Sequence, residues 1–381
     1  MALVRASRID RLTLTGFRNY ASLDIGFLKS LVALVGNNGA GKTNILEAIS
    51  YLTAGRGLRR AALSDIARRG GDGSWAVTAR TRQDGVDVAL GTGFQPGEPG
   101  RRVRIDRVEQ RSSEPLLDYI RILWLIPAMD GLFTGPGSDR RRFLDRLTLS
   151  LNPAHGRHVS AFEKALRQRN RLLEQGGNPA FLDALESQVA EFGTAVALSR
   201  RETVSLLSQT LADQDALGLP FPAATVGLSG PFEDETRHLA AADQEDRFRK
   251  VLKDGRGRDR AAGRTLAGPH LSDMAVRHIT KDMPAAQSST GEQKALLIGL
   301  ILAHANLTAS VTGMTPILLL DEVAAHLDPN RRSALFSRLH ALGCQVFMTG
   351  TDEALFETLP ATGEIFAIEE NAARPIPAGH P

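Results

Sequence analysis

This sequence has one cysteine, Cys344, so no internal disulfide is available and a reducing cytoplasm suits it. Aromatic residues are only 5% of the chain, and neither sign of charge dominates. Forty-six basic against 43 acidic side chains leave a net +3, which by itself is a weak argument for a nucleic-acid partner. Long apolar runs are missing too. The longest, Ala295 to Ala303, is far too short to span a bilayer, and Met1-Ala2-Leu3-Val4-Arg5 lacks the apolar core of a signal peptide. No internal repeat or low-complexity tract stands out. The expectation is a cytoplasmic globular chain with no membrane partner. At 381 residues it is too long for one ordinary core, and two domains are expected.

What is present is a complete G-x-x-x-x-G-K-T, Gly36-Asn37-Asn38-Gly39-Ala40-Gly41-Lys42-Thr43. The apolar run Leu31 to Val35 before it has the character of a buried strand, and Ile45, Ala48, Ile49 and Leu52 after it recur at helical spacing. Strand, glycine loop and helix are the context a P-loop needs. Its backbone N–H groups turn onto phosphate oxygens, Lys42 reaches the β- and γ-phosphates, and Thr43 ligates Mg²⁺. A chance glycine-rich turn is the alternative, but the complete spacing and flanks argue against it. The chain is expected to bind a nucleoside triphosphate.

Far downstream, Ile317 to Leu320 predict a buried strand ending in two carboxylates, Asp321 and Glu322. Asp321 would hold Mg²⁺, and Glu322 would orient or deprotonate the attacking water. Just before it, Ser288-Ser289-Thr290-Gly291-Glu292-Gln293-Lys294 leads into an almost wholly apolar helix, Ala295 to Ala305. A Ser-x-Gly loop at a helix start is either a second phosphate cradle, serving another protomer's nucleotide, or a plain N-cap. Company with the two Walker motifs and with Ala325-His326-Leu327-Asp328 favours the cradle.

Elsewhere the pattern predicts strands between 9 and 35 with a turn at Gly16, and further strands at Trp75–Val77 and Val86–Leu90. A loop is expected over Gly91 to Gly100, and a basic-faced strand around Val103 and Ile105. Helices are expected from about Pro153 to Leu211, broken at 176–179, and a mobile loop over 253–264. Arginines cluster at 56–69, 101–107, 140–142 and 167–171. Singly each cluster could be a solvated face, but together they shift the balance towards a phosphate backbone.

Together these motifs look like the head of an ABC-type ATPase, and their spacing and flanks resemble the RecF family. The marks are Gly16-Phe17-Arg18-Asn19-Tyr20, Asn44 to Ala48 after the P-loop, and Asp139 to Asp145 with its three arginines. Gln168-Arg169-Asn170, Gly268-Pro269-His270 and Thr349-Gly350-Thr351 complete them. The resemblance implies an α/β, SMC-head-like P-loop ATPase lobe, 1–145 with 265–381, and an inserted, mainly helical lobe, 146–264. It implies ATP and Mg²⁺ as cofactors, with nucleotide contacts at Gly36, Asn37, Asn38, Gly39, Ala40, Gly41, Lys42, Thr43 and Asn44. Ser289 and Gly291 would reach the other subunit's γ-phosphate, and His326 to Asp328 would lie between the two sites. Thr43 and Asp321 would hold the metal, with Lys42, Asp321 and Glu322 in catalysis. The implied activity is an ATP-dependent clamp and recombination mediator in gap repair and replication restart, a weak DNA-stimulated ATPase that dimerises on ATP. Its partners would be duplex DNA beside single-stranded gaps, RecR, and indirectly RecO and RecA, at a cytoplasmic, nucleoid-associated location. Arg56, Arg59, Arg60, Arg102 and Arg104 are the candidate DNA contacts. A transporter subunit would carry glutamine where Glu292 stands and a switch histidine where Thr349 stands. A fused-nuclease relative would need a longer stretch after Asp352. No glutamine follows Trp124-Leu125-Ile126-Pro127, where a water-positioning Q-loop would be sought.

Overall fold

The structure, a computed structural model, describes residues 5–83, 85–215, 221–369 and 371–377. The chain packs as two compact units. One runs to Asp130 and resumes at Leu297; the other is Gly131–Leu296. The lobe division drawn from the sequence gives 131–145 and 265–296 to the ATPase lobe instead, and as a functional division it remains a proposal.

Leu31–Val35 is buried at every position, as an unalternating apolar strand covered on both faces must be. It lies in a six-stranded sheet ordered Ala372–Ile376, Gly363–Glu369, Leu31–Val35, Val346–Gly350, Ile317–Leu320, Ile122–Leu125. All neighbours run parallel except the first pair. The strand leading into the glycine loop and the strand ending at Asp321 are therefore not adjacent, because Val346–Gly350 stands between them. A second sheet, wholly antiparallel, is ordered Tyr20–Gly26, Ile9–Phe17, Trp75–Gln83, Val86–Phe94, Arg102–Ile105, Val108–Gln110. Leu12, Leu14, Val77, Leu90 and Val103 of this sheet share one core with Ile45 and Ile49 of the helix Lys42–Ser50 and with Leu34, Leu319 and Phe347 of the parallel sheet. Burying side chains of this size is worth about 1.5–3 kcal/mol each, which fixes the helix behind the glycine loop.

Three local expectations change. The turn comes at Arg18, not Gly16: the strand continues to Phe17, and Gly16 (φ 61°) lies so close to the Ser74 carbonyl that a Cβ would stand 2.7 Å from its oxygen. Gly91 to Phe94 extend a strand rather than start a loop, pairing with Trp75–Thr78. The 253–264 loop is instead the end of the helix Ala241–Asp254 followed by the helix Arg256–Ala262, closed by Gly263 at φ 65°.

The second unit is built on the helices Gly137–Leu151, His155–Glu174 and Pro179–Asp215, with a three-stranded antiparallel sheet, Ala224–Ser229, Asp273–His278 and Met283–Pro284. Its core joins Phe162, Ala165, Val189 and Val196 to Phe232 and Phe248. The reason 253–264 is ordered lies in Arg169, which is fully buried. Its guanidinium donates to Glu186 (3.0 Å), Asp259 (2.8 Å), the Thr265 hydroxyl (2.7 Å) and the Leu252 carbonyl (2.7 Å). Arg256 shares Glu186, and the Thr265 hydroxyl donates to Asn170. Arg169→Ala leaves Asp259 buried without its cation, and losing one member of a buried pair typically costs about 3–5 kcal/mol. Urea denaturation should register a loss of that order, whereas a change within about 0.5 kcal/mol would contradict the role.

The helix Thr290–Thr312 is by length and composition apolar enough to cross a membrane, yet 67% of its most apolar window is buried within the protein. Cys344 is buried, and its thiol pKa is pushed up to about 12.

Candidate nucleotide site

Gly41 precedes the helix Lys42–Ser50 at φ 112°, a conformation open in practice to glycine. A Cβ there would stand 2.5 Å from Asn19 Nδ2 and from Tyr20 Oη, and one on Gly36 (φ 152°) would stand 2.4 Å from the Ile368 carbonyl oxygen. The loop is thus pressed against its surroundings at both ends. No side chain caps the helix and no acidic residue occupies its first turn. Its first N–H groups and the positive end of its dipole therefore face an anion site. Lys42 lies folded into the loop, its ammonium donating to Gly36 O (2.5 Å) and Asn37 O (2.9 Å). Burial lowers the pKa of Lys42, and the charges of Glu322 and Asp321 oppose that shift.

Thr43 Oγ1 donates to the Asp321 carboxylate at 2.9 and 3.2 Å, across 278 residues of sequence. Thr349 Oγ1 donates to the same carboxylate at 2.7 Å and accepts from the Glu322 N–H at 2.9 Å. Glu322 itself has φ 54°. A left-handed backbone costs a residue with a Cβ about 1–2 kcal/mol, and it persists where neighbours hold it. Thr43 and Asp321 bring hard oxygen donors to one point, the chemistry that suits Mg²⁺. Among the described residues no group of three or more His, Cys, Asp or Glu side chains could cage a metal alone. A Mg²⁺ that keeps waters and phosphate oxygens in its shell has no need of such a cage.

A family model described as "AAA domain, putative AbiEii toxin, Type IV TA system" matches residues 31–349. The DNA replication and repair protein RecF of Mesorhizobium japonicum is 54% identical, over 97% of this chain and 98% of its own length. The chain belongs to the RecF family. Among solved structures, the recombination mediator protein RecF-ATPrS of the RecFOR pathway matches with TM-score 0.87 at 20% identity, covering 99% of this chain and 100% of that one. The Smc head bound to the C-winged helix domain of ScpA matches with TM-score 0.55 at 15% identity, covering 97% and 96%. The expected architecture, an ABC-type, SMC-head-like P-loop ATPase, is what these folds are.

Within this RecF-family chain, the Arg18-Asn19-Tyr20 mark supports the P-loop helix. Asn19 bonds the Ala40 carbonyl (3.3 Å) and the Asn371 side chain, and accepts from Asn44 (2.7 Å). Arg18 holds the fully buried Glu47 through two bonds, at 2.8 and 2.6 Å. Arg59 joins the same group, donating to Asn44 Oδ1 and Glu47 Oε2 at 2.7 Å each. One candidate DNA contact is therefore engaged inside the ATPase unit.

The other arginines divide. Arg56 and Arg60 are exposed, and Arg60 has φ 55°. Arg102 pairs with Glu98 (2.5 Å) and exposed Arg104 with Glu109 (3.8 Å). Both line a cavity of about 240 Å³ against the antiparallel sheet, together with Thr78, Gly91 and Gly93, and no P-loop or Walker B residue lines it. Arg101 turns inward instead, donating to Tyr51 O (2.5 Å) and Thr53 O (2.7 Å), and burial brings its pKa down to about 10. The 140–142 arginines are engaged within the second unit: Arg140 pairs with Asp273 and donates to three carbonyls, Arg141 donates to the Ser272 carbonyl, and Arg142 pairs with Asp139.

In the second unit, Ser289 caps the helix Thr290–Thr312. Glu292 accepts from the Ser289 N–H (3.1 Å) and hydroxyl (2.9 Å), and Lys281 pairs with Glu292 at 2.5 Å. This is a capping box, and with Lys281 foremost it draws the Glu292 pKa down to about 2. Around Gly291 a Cβ would meet nothing within 4 Å, so the fold does not itself demand glycine there. The backbone at 324–326 forms a short turn after Glu322, and Asp328 caps the helix Pro329–Ala341. Two participants lie in stretches that the sequence marks without assigning them a role: Glu47, which gathers Arg18 and Arg59, and Thr349, which meets Asp321 and Glu322.

Proposed function

We propose that this chain is an ATP-dependent DNA clamp and recombination mediator. It binds ATP at Gly36–Asn44, dimerises around two nucleotides, holds duplex DNA beside single-stranded gaps, and hydrolyses ATP slowly to release. The observation that carries the reading is the closure of Thr43 onto Asp321, which joins both Walker motifs into one site. Asn37, Asn38 and Gly39 offer backbone N–H groups to the phosphates, Ala40, whose N–H donates to the Asn37 carbonyl (3.1 Å), holds the loop's turn, and Lys42 exchanges its carbonyl partners for phosphate oxygens. A Mg²⁺ held by Thr43 and Asp321 would neutralise phosphate charge. Glu322 takes the proton from the water that attacks the γ-phosphorus. Ser289 and Gly291 complete the partner's site. RecR, and through it RecO and RecA, are the proposed protein partners, at a cytoplasmic, nucleoid-associated location. The relatives' roles in DNA replication and repair and in the RecFOR pathway support this assignment.

For DNA, Arg102 and Arg104 are the leading contacts, and Arg56 and Arg60, both exposed, are further candidates. Arg59 is a weaker contact because Glu47 holds it. Reversing Arg102 and Arg104 to glutamate should weaken ATP-dependent binding similarly for unrelated duplexes. It should also lower the log–log salt slope by about one per lost phosphate contact. Fluorescence anisotropy across a salt series measures both, and a loss confined to one DNA sequence would count against a phosphate-reading face.

A further inference from the structure

We propose that Thr349 is a positioning residue for hydrolysis, standing where a transporter's switch histidine would and joining the two Walker B carboxylates through one hydroxyl. The inference rests on the ATPase reading above.

The sheet order makes this arrangement possible. Val346–Gly350 lies between the P-loop strand and the Walker B strand, with Thr349 opposite Leu34 and Met348 opposite Leu320. The end of this middle strand therefore reaches both halves of the site. Thr349 is fully buried, and each role of its hydroxyl is occupied: the proton goes to Asp321 Oδ1, and a lone pair takes the Glu322 N–H. A donor in series with an acceptor polarises both bonds, so the chain from the Glu322 amide to the Asp321 carboxylate is stronger than its parts.

Two consequences follow for the residues on either side. Asp321 also receives the Thr43 hydroxyl. With Thr43 engaged by a metal, Thr349 would still hold the carboxylate. Glu322 needs support of another kind. Its backbone is left-handed, and the hydrogen bond that its N–H donates to Thr349 Oγ1 holds that conformation. Without the hydroxyl, the Glu322 amide loses its partner and the backbone is free to relax. The carboxylate then leaves its place although no atom of it has changed. A histidine would instead present its ring to the phosphate, a task Thr349 is too short to perform. Its action runs through Asp321 and Glu322.

The test compares Thr349→Val, which keeps shape and loses the hydroxyl, with Thr349→Ser, which keeps the hydroxyl. Full-length protein is used, with Glu322→Gln and the unmodified chain in parallel. Thr349→Val should slow single-turnover ATP hydrolysis roughly ten- to a hundredfold, as loss of a hydrogen bond to a charged group does. Its ATP affinity measured without Mg²⁺ should stay unchanged, because the Lys42 loop is untouched, and this also reports that the variant is folded. Amide hydrogen exchange at Glu322 should quicken. Thr349→Ser should restore both hydrolysis and protection. Normal hydrolysis in Thr349→Val, or a serine variant as slow as the valine one, overturns the proposal. If the unmodified chain hydrolyses nothing that Glu322→Gln abolishes, the ATPase reading itself has failed. If Glu322→Gln is slow and Thr349→Val is not, only the positioning role has.

Discussion

Glu322→Gln is expected to slow ATP hydrolysis by on the order of 10²–10⁴-fold, the usual contribution of general-base assistance, while ATP still binds. Glutamine keeps the size and accepts hydrogen bonds but cannot take a proton at neutral pH. The backbone bond that holds position 322 comes from its N–H to Thr349 and survives the exchange. Binding should survive too, since the phosphate cradle is Gly36–Thr43 and the Thr43–Asp321 contact is untouched. One indirect effect has a definite sign. Lys42 has its pKa lowered by burial and supported by the charges of Glu322 and Asp321, so removing one charge makes its ammonium less well compensated. Bound phosphate more than replaces that charge, so ATP affinity should hold or tighten slightly. Rapid-quench single turnover and equilibrium nucleotide binding measure the two quantities separately. Hydrolysis at the normal rate would remove Glu322 from the base position.

Much of this site was legible in the chain because its chemistry is local. Strand, glycine loop and helix follow one another within about twenty residues of sequence, and four aliphatic residues followed by Asp321 describe a buried strand ending in a carboxylate. What could not be read depends on strand order. Nothing near Thr349 says that its strand separates the two Walker strands, so Thr349-Gly350-Thr351 is legible as a family mark and the role of its first hydroxyl is not. Arginine clusters are only partly legible for a related reason. Composition counts guanidinium groups but not their neighbours, and Arg59, Arg101 and Arg140 each proved to be held by groups distant in sequence. The 253–264 stretch shows the same limit. Its glycines and charges look like a mobile loop until Asp259 meets Arg169, 90 residues away, in a buried pair.

Ser289→Arg is expected to abolish ATP-dependent dimerisation while each monomer still binds ATP through Lys42. In the proposed dimer, Ser289 and Gly291 of one protomer close over the γ-phosphate held by its partner, a contact that ADP cannot supply. Each such hydrogen bond to a charged oxygen is worth about 1.5–3 kcal/mol. Two symmetry-related sites then change association by several orders of magnitude. The open space around Gly291 supports this reading, because the local fold leaves room that no neighbour of its own fills. The capping box requires a control, since Ser289 bonds Glu292 and loss of an N-cap costs about 0.5–2 kcal/mol. Ser289→Asp meets part of it: aspartate can still accept from the Glu292 N–H, although it loses the hydroxyl's bond to the Glu292 carboxylate, and it sets a negative charge against phosphate. Both variants should remain monomeric with ATP by light scattering, although only the arginine variant loses the side-chain acceptor for the Glu292 N–H. Mixing Ser289→Arg with Lys42→Met should restore at most one composite site per dimer, because each chain then supplies the half the other lacks. If Ser289→Arg dimerises normally with ATP, Ser289 is an N-cap and nothing more, and the dimer must be sought on another surface.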